Sequence, residues 1–366
     1  MNNIPRPLYI FRGHEVQISY IHFFKKNKNL ATCDANGWVI IWNVFTRRPI
    51  IVWRAHLDSV LTCHYWNDNY FITHGRDNKI YIWQLEFEYE EGLEIYLPID
   101  QKEEYQKKPW MVYSLNINSL NYCSFSVCDK VLKKLEDDVK DEIFMAVPNS
   151  NKNELIDIYV LPNCQLVYSE IGSTKETTGI IMSLCIYYRQ KLSYKTLEIS
   201  AGFESGHVGV FLFSPVHQVW ETKYLFKVHT EPVLSIHCDP HYEFLISSGS
   251  DSFVVKYYLD SDSDNILKFK TRHVGQQSLR IRSDAKIFAT AGWDGKVRVY
   301  SCNTLSQLAV CKWHETGCYS IAFSEIIPKH YKILGSFEKN KQLERSEKHW
   351  LAAGGKDGKV SLWEIC

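Results

Sequence analysis

Three stretches of the chain carry residue types that chemistry needs. "THGRDNKIYIW", Thr73 to Trp83, holds a threonine, a histidine and an Arg-Asp pair, and with His56 upstream it offers the hydroxyl, imidazole and carboxylate of a hydrolytic triad. "HCDPH" groups His237, Cys238, Asp239 and His241, the donor types of a zinc site. "GGKDGK", Gly354 to Lys359, sets glycines around lysine as a phosphate-cradling loop does. Each reading makes a demand on geometry. A nucleophile needs a unique, accessible setting with an oxyanion hole. Zinc donors must converge on one point, and a phosphate loop needs Ser or Thr where this chain has Asp357.

The first demand fails on repetition. Asp77 stands six residues before Trp83, Asp251 six before Tyr257, Asp294 six before Tyr300, and Asp357 six before Trp363. Asn36 and Trp42 repeat the offset with an amide for the acid, and Ser205 with Phe211 and Asn153 with Tyr159 repeat it more weakly, making seven copies. A histidine precedes five of them, in "RGH" at His14, "RAH" at His56, "KVH" at His229, "TRH" at His273 and "KWH" at His314. The gaps from His14 to Asn36, His56 to Asp77, His229 to Asp251 and His273 to Asp294 are 22, 21, 22 and 21 residues. A catalytic loop has no reason to recur at that interval. The zinc reading fails on register: with Val233 to Cys238 on an innermost strand, alternation sends His237 and Cys238 to opposite faces. "GGKDGK" is then another copy of the same turn.

A repeat of about forty residues with four short alternating segments is a propeller blade. Residues 16–24, 30–36, 38–44 and 49–56 are rich in β-branched and aromatic types and bounded by Asn, Gly and Pro turns, so each reads as a strand. Four-stranded sheets cannot bury their faces alone and must stack radially until the ring closes. The expected fold is all-β, a seven-bladed β-propeller, with blades near 16–56, 59–116, 117–169, 180–229, 232–273, 276–314 and 317–366. The last copy ends at Trp363 after three strands, and "PLYIFRGH", Pro7 to His14, supplies a spare one, so an N-terminal strand at 7–14 is expected to complete the last blade and close the ring.

The His, Asp and Trp positions resemble those of WD-repeat β-propellers over nearly the whole chain. In that family the turn Asp accepts from the histidine of the preceding loop, a strand hydroxyl bonds the same ring, and the tryptophan closes the set. The resemblance implies such structural sets at His14, Asn36 and Trp42; His56, Asp77 and Trp83; His229, Asp251 and Tyr257; His273, Asp294 and Tyr300; and His314, Asp357 and Trp363. "DANGWVIIWNVFTRRPIIVWRAH" with "ITHGRDNKIYIWQL", and near the end "TAGWDGKVRVY" and "LAAGGKDGKVSLWEI", further resemble the fungal ASTRA-associated WD-repeat proteins and the vertebrate G-protein β-subunit-like propeller. That implies a non-catalytic scaffold subunit of the nuclear ASTRA assembly, linked to chromatin remodelling. It also implies a link to the cochaperone that matures phosphatidylinositol-3-kinase-like kinases. The substrate receptor of a ubiquitin ligase and a histone-tail reader are the alternatives. A true G-protein β subunit would show a long amphipathic amino-terminal segment, which is not evident here, and a hydrolase is the weakest reading.

Composition narrows the partners. Forty-two basic and forty-two acidic residues cancel in 366, and no stretch gathers the one-sided field that phosphate-backbone binding uses, so direct nucleic-acid binding is not expected. No signal sequence or apolar run of spanning length is present, and an intracellular, non-membrane protein is expected. Eleven cysteines without a C-x-x-C pair fit buried reduced thiols better than disulfides or a metal. No cofactor, metal or small-molecule substrate is expected; the partners are proteins.

Departures from the repeat carry the recognition candidates. Insertions at 86–108, 126–140 and 326–348 are charged and longer than blade turns need, and loops on a rigid frame are where recognition sits. Within the second, Val131, Leu132, Leu135 and Val139 could share one side of a helical turn as a docking ridge. The third is mainly basic. Lys329, Lys339, Lys341 and Arg345 from it, with Arg47 and Arg48 of the "TRRP" turn expected to point outward, are the candidate partner-binding residues. Arg76 sits in a turn of the opposite kind and is expected on the other face.

Overall fold

In the computed structural model, residues 5–67, 69–85, 95–100, 108–117, 122–130, 142–190, 195–260, 266–326 and 349–365 are described. Blade one shows how local chemistry sets the strands. Ile18–Phe24, Asn29–Asp34, Trp38–Asn43 and Arg48–Arg54 form an antiparallel sheet in that order. The middle strands are covered on both faces, so their buried residues run consecutively, as in Leu30, Ala31, Thr32 and Cys33, where a half-exposed strand would alternate.

The chain divides into two compact units, one of Met1–Ser114 with Gln277–Cys366 and one of Leu115–Gln276. The first unit holds blade one and, apart from strand-end residues at its boundaries, three other sheets. Blade two is Val60–Trp66, Tyr70–Gly75, Lys79–Gln84 and Trp110–Asn116. Blade six is Gln276–Ile281, Ile287–Gly292, Lys296–Ser301 and Gln307–Lys312. Blade seven is Cys318–Phe323, Trp350–Gly355 and Lys359–Glu364, completed by Tyr9–Arg12. The second unit holds blade three (Ser126–Asp129, Ile143–Pro148, Ile156–Leu161, Gln165–Ile171), blade four (Ile181–Gln190, Lys195–Phe203, His207–Ser214, Val219–Lys227) and blade five (Ser235–Cys238, Phe244–Ser248, Phe253–Tyr258, Ile266–Lys270). Seven four-stranded antiparallel sheets make this an all-β, seven-bladed β-propeller.

The amino-terminal strand is where the sequence placed it. Tyr9 to Arg12 pair antiparallel with Leu362 to Lys359, and the Leu8 N–H donates to the Leu362 carbonyl at 2.7 Å. Phe11 enters an apolar cluster with Ile18, Ile40, Trp42, Ala352 and Leu362, joining blade seven to blade one.

Two insertion boundaries change. Ser126–Asp129 is not insertion but the first strand of blade three, paired with Ile143–Ala146. Its Ser, Cys and Asp content hides it, because an innermost strand is recruited by pairing more than by propensity. The neck beyond it is closed by the Lys130 N–H on the Glu142 carbonyl at 2.9 Å and by a 2.6 Å Lys130–Glu142 ion pair. The ridge at Val131, Leu132, Leu135 and Val139 lies outside the described residues. In the 86–108 insertion, residues 95–100 include a 3-10 turn, Pro98–Asp100. They lie against the protein: Leu97 packs on the cluster around Phe11, and the Ile99 N–H reaches the Gly13 carbonyl at 3.3 Å.

The turn after the second strand of blade one needs glycine twice over. Gly37 has φ +88°, and a Cβ there would lie 2.0 Å from the His56 carbonyl oxygen, because the Gly37 carbonyl itself accepts the Ala55 and His56 N–H groups. Gly37→Ala is expected to lower the melting temperature by about 3–6 °C, from left-handed strain plus overpacking. An unchanged thermal melt would remove this close approach from the account.

Candidate functional site: histidine turns and exposed surfaces

Four histidine turns form closed hydrogen-bond chains. In blade two His56 places Nδ1 on Asp77 Oδ1 and Nε2 on Thr73 Oγ1, both at 2.8 Å. Trp83 Nε1 donates to the same hydroxyl at 2.8 Å, and the Leu57 N–H takes the other carboxylate oxygen at 3.0 Å. In blade five His229 sits between Asp251 at 3.0 Å and Ser247 at 2.8 Å, and Tyr257 replaces tryptophan with a hydroxyl 3.0 Å from Ser247. In blade seven the second strand offers Ala353, so the hydroxyl comes from the third strand: Ser361 Oγ is 2.9 Å from both His314 Nε2 and Trp363 Nε1, and Asp357 is 3.2 Å from His314 Nδ1.

Blade one corrects the assignment of Asn36. His14 Nδ1 meets Asp34 Oδ2 at 2.7 Å, its Nε2 meets Thr32 at 2.7 Å, and Trp42 Nε1 donates to Thr32 at 2.9 Å. Asn36 only contributes its backbone N–H to Asp34 Oδ1 at 2.9 Å. The reason is spatial. In blades two and seven the position two residues before the acid is Gly75 or Gly355, where a Cβ would stand 2.2 or 2.4 Å from the imidazole Nδ1. Blade one puts Asp34 at that strand end, so the carboxylate reaches the same ring from a different backbone position. The signal was present in sequence: Gly stands two before the acid in "GRD", "GSD", "GWD" and "GKD", and Asp stands there in "DAN".

Blades six, four and three depart further. Asp294 is gripped by Arg298 of its own sheet, Nη1 at 3.0 Å and Nη2 at 2.6 Å, so a guanidinium joins the donors on this carboxylate. His273 is half-buried, and its backbone is tied to Thr271. Blade four exchanges the roles: the histidine is His207 in the third strand, the acid is Glu176 from the preceding loop at 3.1 Å, and Ser205 lies 2.7 Å from His207 Nδ1. In blade three Asp157, not Asn153, is the buried acceptor, taking Asn149 Nδ2 at 2.8 Å and Ser169 Oγ at 2.8 Å.

These contacts set the electrostatics. Burial alone would raise the carboxyls of Asp77, Asp251 and Asp357, but the hydrogen bond and charge of the facing histidine, with backbone N–H groups, outweigh it and hold each below the usual carboxylate range. For Asp294, burial is outweighed by Arg298. Ser205, His207 and Glu176 have the composition of a triad, yet Ser205 Oγ donates its proton to the Thr178 carbonyl at 2.6 Å, which fastens the turn. In "HCDPH" the buried Asp239 spends its oxygens on the N–H groups of His241, Glu243 and Phe244 at 2.9, 2.7 and 2.8 Å. Burial, with Cys185 and Asp239 nearby, pushes the Cys238 thiol well up. Likewise burial raises the Cys311 thiol to about 12.

The candidate basic patch is only partly brought together. Arg47, with φ +61°, is exposed and lays its guanidinium 4.7 Å above the Tyr9 ring, so it also braces the amino-terminal strand. Arg48 is exposed at the start of the fourth strand of blade one. Lys329, Lys339, Lys341 and Arg345 lie outside the described residues. Arg76 is exposed in the turn between the second and third strands of blade two, and the Arg47 turn joins third to fourth strands, so the two turn types open at opposite ends of their sheets.

A surface that sequence reading missed is apolar. The outermost strand of blade two begins Trp110-Met111-Val112-Tyr113, and Trp110 is 75 %, Met111 47 % and Tyr113 42 % exposed, so large side chains stand in solvent on both faces. Ile95, Tyr96 and Ile99 of the same blade's insertion are also exposed. The sequence signal was the unbroken run "WMVY" at a position where an outer strand should alternate with polar residues.

Comparison with known proteins gives a consistent family. Residues 7–316 match the family model described as ASTRA-associated protein 1. Among curated proteins, ASTRA-associated protein 1 of Aspergillus flavus is 34 % identical, over 98 % of this chain and 97 % of its own. That of Verticillium alfalfae is 35 % identical, over 100 % and 94 %, and that of Schizosaccharomyces pombe is 30 % identical, over 99 % of each.

Proposed function

From the premise that the chain belongs to the ASTRA-associated protein 1 family, we propose that it is a non-enzymatic scaffold subunit of the ASTRA complex. In this reading it acts in the nucleus, serving chromatin remodelling and the maturation of phosphatidylinositol-3-kinase-like kinases through a cochaperone assembly. The relatives' names support the ASTRA association, and the repeated turns support the scaffold role, because their polar groups are committed to one another.

The observation that carries the docking role is the outermost strand of blade two. Its apolar side chains are exposed on both faces of an edge strand, an arrangement that invites pairing with another chain unless a partner covers it. Trp and Tyr are the residue types that anchor interfaces. The test is affinity purification of the tagged chain with mass spectrometry, comparing wild type with Trp110→Ser/Met111→Ser/Tyr113→Ser. Those side chains are solvent-exposed, so the variant should keep its melting temperature within about 1 °C and lose the cochaperone subunits. Arg48→Glu and Arg76→Glu report on the two ends of the sheets. Full recovery of partners by the triple variant would move the docking surface elsewhere, and recovery of cullin adaptors by wild type would replace the scaffold reading with a ubiquitin-ligase receptor.

A further inference from the structure

The first strands of blades one, two and six bring Tyr20, His22, His64 and Arg280 together. The His22 and His64 rings lie 5.4 Å apart, and His22 stacks parallel to Phe24 at 6.1 Å. Arg280 of blade six reaches Tyr20 of blade one: Nη2 donates to the phenol oxygen at 3.2 Å, with the guanidinium 5.6 Å from the ring centre. Nη1 donates to the Leu279 carbonyl at 2.8 Å. The first strand of blade seven packs against that of blade one, so this bond reaches past an intervening sheet.

What sets the cluster apart is its charge. Arg282 and Arg298 are buried on the carboxylates of Asp284 and Asp294, and Arg189 is paired with Asp260. Arg280 is half-buried and has no carboxylate partner among the described residues. A guanidinium carries five N–H donors, and two are engaged by described residues. Of the neighbouring charges, Arg282 is neutralised by Asp284 and Lys25 lies over the Tyr65 ring at 5.5 Å. Burial, then the nearby His64 and Arg280, lowers His22 to about 3, and burial lowers His64 to about 4. Both rings are therefore neutral at physiological pH and each carries one N–H donor.

We propose that this inner-strand cluster binds a phosphate-class oxyanion, held by the guanidinium of Arg280 and by N–H groups of His22 and His64, with the Tyr20 phenol as a fourth donor. A planar carboxylate is satisfied by the arginine fork alone. Donors arriving from three separate strands suit an anion whose oxygens point in several directions. The anion also supplies the counter-charge that a half-buried guanidinium otherwise lacks. The source is either free inorganic phosphate or a phosphate monoester on a small organic molecule.

The experiment uses the full chain in phosphate-free buffer, titrated calorimetrically with inorganic phosphate, glycerol phosphate and acetate at constant ionic strength. Saturable binding of the phosphates, with acetate inert, is expected. Tighter binding of glycerol phosphate than of inorganic phosphate identifies an organic phosphate as the source, and the reverse identifies free phosphate. Arg280→Gln should weaken binding by about tenfold or more, the loss expected from removing a charge-assisted hydrogen bond. His64→Asn should weaken it in the same direction and gives an independent comparison where Arg280→Gln melts early. Equal responses to acetate and phosphate, no saturable phosphate binding by wild type, or wild-type affinity in Arg280→Gln would each overturn the site.

Discussion

Removal of residues 1–12 is expected to produce a chain that melts far below the full-length protein. The missing strand leaves the Lys359–Glu364 edge of blade seven without the partner that pairs with Leu362 to Lys359. It also takes Phe11 out of the cluster it forms with Trp42, Ala352 and Leu362. Phe11 is 1 % exposed and its ring is 5.2 Å from that of Trp42. The point variant Phe11→Ala isolates the packing part and should cost about 3–5 kcal/mol, a fall of about 5 °C in a cooperative chain of this size. Arg47→Ala should cost less, removing only the cation–ring contact on Tyr9, about 0.5–1 kcal/mol at an exposed site. A peptide of residues 5–14 added to the truncated chain should restore part of the melting temperature, because it can pair with the vacated edge. A truncated chain that melts with the full-length protein would mean that this strand is not what closes blade seven.

Asp77→Asn is expected to lower stability at neutral pH and to flatten the acid limb of the stability curve. Ionised Asp77 accepts from His56 and Leu57, and removing one charged partner from a buried chain costs about 1.5–3 kcal/mol. The direction with pH follows from the depressed carboxyls. A carboxyl held below its unfolded value, about 3.9 for Asp, contributes its full stability above that value and loses it as pH falls through the lower, folded value. Asp77, Asp251, Asp294 and Asp357 all shift in this direction. The melting temperature should therefore stay level from neutral pH to about pH 5 and drop steeply below about pH 4. The gap between wild type and Asp77→Asn should narrow over that drop, since the wild-type carboxylate is then protonated too. A gap that is constant across the drop would show that hydrogen-bond geometry, and not the ionised state, is what the turn requires.

The Asp-to-Trp offset and the histidine spacing were enough to count seven sheets and to place the amino-terminal strand. Both depend on local rules: side chains alternate along a strand, and a tight turn demands Asn, Asp or Gly at fixed positions. Those rules also located Asp77, Asp251 and Asp357 and the rings that face them. They misplaced the acceptor in blade one, because Asn36 has the right offset while Asp34 has the right position in space. They also read Ser126–Asp129 as insertion, since that strand owes its form to pairing with Ile143–Ala146.

What the sequence determined by itself is the repeat: which segments are strands, how many sheets they make, and that a polar set recurs at the end of most of them. Tertiary structure alone decided who meets whom. Arg298 claims Asp294, Glu176 and His207 exchange the usual origins of acid and base, Arg47 turns back onto Tyr9, Leu97 reaches from blade two to the Phe11 cluster, and Arg280 crosses to Tyr20. Each of these pairs joins groups whose chain separation carries no periodic signal or whose neighbours compete for the same donor. Periodicity reports the direction of a side chain from its own strand. The partner at the end of that direction is set by how separate sheets pack, and packing is specified by the whole set of buried surfaces at once.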